Sequence, residues 1–152
     1  MSYTSAAGRQ QLLDTVAAAA ERLAAALAAL SELYERLDER SADAVEEALF
    51  RPVQMAYGRA QRAHSAFAER HGLAPRVFAG APAPAPALGV KGFLDSALAA
   101  IGEADRLLAE LQDSLLPVEV GDRELRGDLE RVRALLGGLG GRARELQRTL
   151  GR

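Results

Sequence analysis

Apolar residues recur along most of this chain at alternating intervals of three and four, the spacing that puts side chains on one face of an α-helix. The first such run, Val16, Ala20, Leu23, Leu27, Leu30, Tyr34 and Leu37, predicts a helix from about Thr4 to Glu39, with Arg9, Asp14, Arg22, Glu32, Glu35 and Arg36 on its far side. A helix of that length measures about 50 Å and cannot bury its stripe alone, so it requires a partner. Thr4 and Ser5 are candidate N-caps, and Arg40-Ser41 reads as the following turn, with Ser41 capping the next helix.

The second run is Val45, Leu49, Val53, Ala56, Ala63 and Phe67, ending at His71-Gly72-Leu73-Ala74-Pro75, where glycine and then proline give a C-terminal stop. Pro52 lies inside this run. Lacking an N–H and crowding the turn before it, Pro52 predicts a kink or break near Phe50–Arg51. A third run, Leu94, Ala97, Ile101, Ala104, Leu108, Leu111 and Leu115, predicts a helix from about Lys91 to Leu115, closed by Pro117. The fourth, Leu125, Leu129, Val132, Leu136, Leu139, Ala143, Leu146 and Leu150, starts after a candidate cap at Asp122. Four glycines among Gly137, Gly138, Gly140 and Gly141 each weaken a helix interior by about 0.5–1 kcal/mol, which predicts a break near Gly138.

Between the second and third runs, residues 74–90 carry Ala81-Pro82-Ala83-Pro84-Ala85-Pro86, a composition that favours an extended, semi-rigid connector. The expected architecture is an all-α, antiparallel four-helix bundle in one domain spanning 1–152. One helical hairpin covers about 4–73, the linker 74–90, and a second hairpin about 91–150.

Composition supports helices over sheets. Of 152 residues, 49% are hydrophobic but only 5% aromatic, so the core must be filled by Leu, Ala and Val. The absence of cysteine excludes disulfides, thiolate metal sites and a cysteine nucleophile. The start of the chain lacks the basic and apolar segments of a signal peptide, and Glu21-Arg22 interrupts the longest Ala/Leu stretch, so no membrane span and a cytoplasmic location are expected. A net charge of −2 argues against a nucleic-acid binder that works by neutralising phosphates. Charge is nevertheless uneven: residues 51–76 hold five Arg and one Glu.

Phosphate-binding loops, a nucleophile elbow and paired Glu-x-x-His motifs are all missing. Phe50, Tyr57, His64 and His71 recur every seven residues beside the second stripe, with Arg59, Arg62 and Arg70 nearby. Tyr57, Arg59, Arg62, His64 and His71 therefore form the candidate ligand-binding flank, where arginine forks would hold a carboxylate or phosphate. The plainer account of the same spacing is a half-buried packing flank. Arg59 and His64 also fit the loose Arg-x4-His pattern of small helical ribonucleases of the HEPN type, with Ala60 where those carry a polar residue. The carboxylates Glu32, Glu35, Asp38, Glu39, Asp43, Glu46 and Glu47 could hold Mg²⁺, but Arg36 and Arg40 interleave with them and favour a solvated helix end. The reading that follows is a non-catalytic adaptor or assembly protein, with no catalytic residue, metal or cofactor, that self-associates or binds another helical protein. The alternatives are an anion-binding bundle and a small phosphodiester or pyrophosphate hydrolase.

Overall fold

The computed structural model describes residues 2–150, and every regular element among them is helical. Helix α1 (Ser2–Glu35) is followed by α2 (Glu39–Val45), which passes through a single π turn at Glu46–Phe50 into α3 (Arg51–Arg70). After the connector come α4 (Gly89–Asp113), the short α5 (Leu116–Glu119), α6 (Arg123–Gly137) and α7 (Leu139–Leu150). Helix α1 packs most extensively against α4 and also against α3; α3 in turn packs on α6, and α4 on α6 and α7. Buried side chains from all five of these helices join one hydrophobic cluster.

The stripes of α3, α6 and α7 are buried where their spacing places them: Val53, Ala56, Ala63, Phe67, Leu125, Leu129, Val132, Leu136, Leu139, Ala143 and Leu146 all lie inside. The stripe of α1 matches expectation in part, with Val16, Ala20, Leu23 and Leu30 buried. Its buried line is Leu12, Val16, Ala19, Leu23, Ala26, Leu30 and Leu33, while Leu27 and Leu37 are half-buried and Tyr34 is 41% exposed. Because α1 faces two long helices, it needs a broad apolar face, and its alanines let both neighbours come close. Ala17, Ala20, Ala24 and Ala29 are consumed in these internal contacts.

Helix boundaries depart from expectation at four places. Helix α1 runs through Thr4 and Ser5, so neither stands at its start, and the Thr4 side chain lies outside the described residues. The first turn comes earlier than Arg40-Ser41. Asp38, in an extended conformation, accepts the Ser41 N–H at 2.8 Å and takes the capping role expected of Ser41. Pro52 does not break the helix; the π turn just before it widens the backbone enough to admit the ring. Helix α4 ends at Asp113 because Ser114 turns extended and donates its hydroxyl to the Leu111 carbonyl at 2.7 Å. That leaves Leu115 in solvent, and Pro117 opens α5 instead of closing α4.

Other ends follow the local chemistry. Gly72, at φ +66°, terminates α3, and the Leu73 N–H reaches back to the Ala68 carbonyl at 2.8 Å. Asp122 caps α6 by accepting the Leu125 N–H at 2.8 Å. Gly138 separates α6 from α7, the break that the glycine cluster predicts.

Candidate functional site

Helix α3 presents its expected flank toward three different neighbours. Tyr57 is half-buried against the core. Arg59 points to α6, with Nη1 3.7 Å from Asp128 Oδ1. Arg62 is exposed, and its guanidinium folds back over Gly58, where no side chain occupies the space. Each of these cations keeps contact with water, so its charge is inexpensive to hold and weak in attraction.

At the C-terminal end of α3 a compact charged cluster ties the helix to α6. Arg70 Nε and Nη2 donate to the two carboxylate oxygens of Asp122 at 2.8 and 2.9 Å, and Arg70 Nη1 lies 3.1 Å from Glu124. His71 Nε2 is 2.9 Å from the same Asp122 carboxylate, and its ring rests on Phe67 with centroids 4.3 Å apart. Burial alone would raise the Asp122 pKa, but the donors Arg70, Leu125 N–H and His71 outweigh it and hold the carboxyl well below its ordinary range. Asp122 is thus fully engaged, accepting from Arg70, the Leu125 N–H and His71.

His64 is the interior histidine, 3% exposed. The connector after α3 folds back over it: Phe78 meets the imidazole edge-on, with centroids 5.4 Å apart and planes at 87°. Arg76, from the same connector, forms an ion pair with Glu21 of α1 and lies over the Phe78 ring at 5.7 Å. His64 Nδ1 is buried with no hydrogen-bond partner. Burial, reinforced by the Arg76 charge and opposed by Asp14, pulls the imidazole below its ordinary pKa.

The five expected residues therefore do not converge on one cleft. Arg59 and His71 serve the α3–α6 junction, His64 serves the connector, and Arg62 is exposed on the surface. Five positions apart on a helix, Arg59 and His64 are separated by about 140° of rotation, and they address different neighbours, Asp128 and Phe78. The acidic turn gives no metal cage either: Glu32 pairs with Arg36 at 2.8 Å, Asp38 caps α2, and no three His, Asp or Glu side chains among the described residues are grouped to hold an ion. None of the described helices is long and apolar enough to cross a membrane.

Sequence reasoning did not find Phe78, Arg76 or Asp128 as partners of this flank. Phe78 carries the one usable signal, as the sole aromatic residue between α3 and α4. Comparison with family models, curated proteins and solved structures finds no match to this chain.

Proposed function

We propose that the chain is a non-catalytic interaction protein, an adaptor or assembly subunit built as an antiparallel four-helix bundle. Cross-helix partners support the antiparallel sense, since residue numbers rise on one helix as they fall on the other. Between α1 and α4, Arg22 pairs with Glu103 and Arg36 covers the Phe93 ring. Between α3 and α6, Arg59 pairs with Asp128 and Arg70 with Asp122. Asp105 pairs with Arg133, and Asp95 with Gln147, between α4 and the α6–α7 arm.

One observation carries the functional reading. Arg59, Arg70, His71 and Asp122 are engaged in joining α3 to α6, while Leu115 and Val118 stand 66% and 71% exposed on either side of Pro117. Large apolar side chains at the tip of a turn contribute nothing to this fold and are suited to contact with a second copy or another helical protein. The alanine faces of α1 are buried within the chain and are not free for that role. Light scattering coupled to size exclusion tests the assembly version: a species above 16.1 kDa is expected, reverting to monomer in L115S/V118S. A strictly monomeric chain at high concentration removes it.

A second reading, an anion-binding flank that includes Tyr57, Arg59, Arg62, His64 and His71, draws on Arg62 and Arg76, which line one open groove with Ser65 and Phe78. Thermal shift with anionic metabolites and nucleotides is its test, and a uniformly flat response counts against it.

A further inference from the structure

We propose that residues 73–85 form a strap latched onto α1 and α3 by His64, and that protonating His64 releases it. The strap has no helical or sheet hydrogen bonds of its own. Its described attachments are few: the Leu73 N–H to the Ala68 carbonyl of α3, Arg76 to Glu21 of α1, Phe78 to His64 of α3, and the packing of Leu73 and Phe78 on the core. A segment held by so few contacts opens at far lower free energy than the helices beneath it.

His64 is the one attachment whose chemistry changes near neutral pH. In its neutral form the imidazole needs only one N–H, and a partnerless Nδ1 can remain an unprotonated acceptor at modest penalty. The imidazolium carries N–H at both nitrogens. The proton on Nδ1 would then sit buried without an acceptor, as part of a full charge packed against Phe78. Two charged groups face the site: Arg76 from the strap, which repels the imidazolium, and Asp14 from α1, which attracts it. Asp14 is already drawn on by the Gln10 amide at 2.9 Å, and Arg76 by Glu21. The least disruptive response to a proton is to lift Phe78 and admit water to the ring.

The sign follows from the direction of the shift. Folding with the strap closed favours neutral His64, so closure is complete above the ordinary histidine range and is lost as pH falls toward the depressed value. Acid opens the latch, and neutral pH closes it.

NMR of the full chain tests this directly. Between about pH 8 and about pH 5, spanning the histidine range, the amide signals of Val77, Phe78, Ala79 and Gly80 are expected to move with the midpoint of the His64 ring protons. Relative to the intrinsic exchange rate at each pH, hydrogen exchange in the strap should quicken by at least about tenfold while the protection of the α1 core amides holds. H64L should keep the strap closed throughout. F78A, confined to the strap, should bring the His64 midpoint up toward its ordinary value and speed tryptic cleavage after Arg76 at the alkaline end. Strap signals that ignore His64, or that move identically in H64L, overturn the latch. If H64L does not fold, F78A decides, and an unmoved His64 midpoint there overturns it.

Discussion

Arg70 and Asp122 meet fork to fork, with two donor–acceptor distances of 2.8 and 2.9 Å, and so pin the last turn of α3 to the residue that starts α6. The same carboxylate satisfies the Leu125 N–H, one of the unpaired first-turn amides of α6. One side chain therefore performs two separable tasks: it satisfies one unpaired amide at the start of a helix and binds that helix to another.

Asp122→Ala removes both tasks and should destabilise the fold by roughly 2 kcal/mol, about half from the cap and the remainder from ion pairs weakened by partial exposure. Asp122→Asn keeps a competent cap and loses only the charge, so its deficit should be about half as large. The folded carboxyl is held below its ordinary range, so its charge stabilises the protein above that range and the benefit disappears as acid protonates the group. Urea unfolding of wild type and D122N should therefore differ near neutrality and converge in acid. A deficit of constant size across that range would refute the account.

Glycines separate into required and replaceable positions by what a methyl group would meet. At Gly121 a Cβ would overlap the Pro117 carbonyl oxygen and lie 3.0 Å from Pro117 Cα, all backbone atoms that cannot rotate aside. At Gly102, within α4, it would meet nothing within 4 Å. Gly121→Ala should lose about 1–3 kcal/mol through overpacking, and Gly102→Ala should gain about 0.5–1 kcal/mol through helix propensity. Paired denaturant midpoints check both, and equal signs for the two would sink the distinction.

Legibility of the fold varied with how many neighbours each helix faces. Helices α3, α6 and α7 each show a narrow stripe, and spacing alone located their buried residues. Helix α1 has a broad apolar face because α3 and α4 both cover it, so more than one seam fits the pattern: Val16, Ala20, Leu23 and Leu30 of the expected one are buried, while Leu27, Tyr34 and Leu37 are not. Asp38 and Ser41 are comparably good caps, and only the chain path decides between them. In the candidate flank, periodicity placed His64 beside the core, but its actual partner, Phe78, depends on where a non-helical connector runs. No local rule encodes that path.

The π turn was readable in one respect that the proline concealed. Val45, Leu49 and Val53 are all fully buried, yet they are spaced four and four, where the rest of the stripe alternates three and four. Eight residues carry an ordinary α-helix about 80° beyond whole turns, which would set Val45 and Val53 on opposite flanks of the core face instead of in line. The wider turn at Glu46–Phe50, closed by the Arg51 N–H on the Glu46 carbonyl, absorbs that excess. The chain thus holds one surplus residue here, with Pro52 stationed where the widened backbone has room for it. Deleting Ala48 should remove the surplus, convert the π turn to ordinary helix and leave Val45 and Val53 on the same face. Deleting Ala60, which is buried where α3 has no such slack, should rotate everything beyond it out of register. Circular dichroism melts are expected to show a folded, cooperative ΔAla48 and a severely destabilised ΔAla60. Equal damage from the two deletions would mean that the π turn answers to Pro52 alone and not to the register of the core.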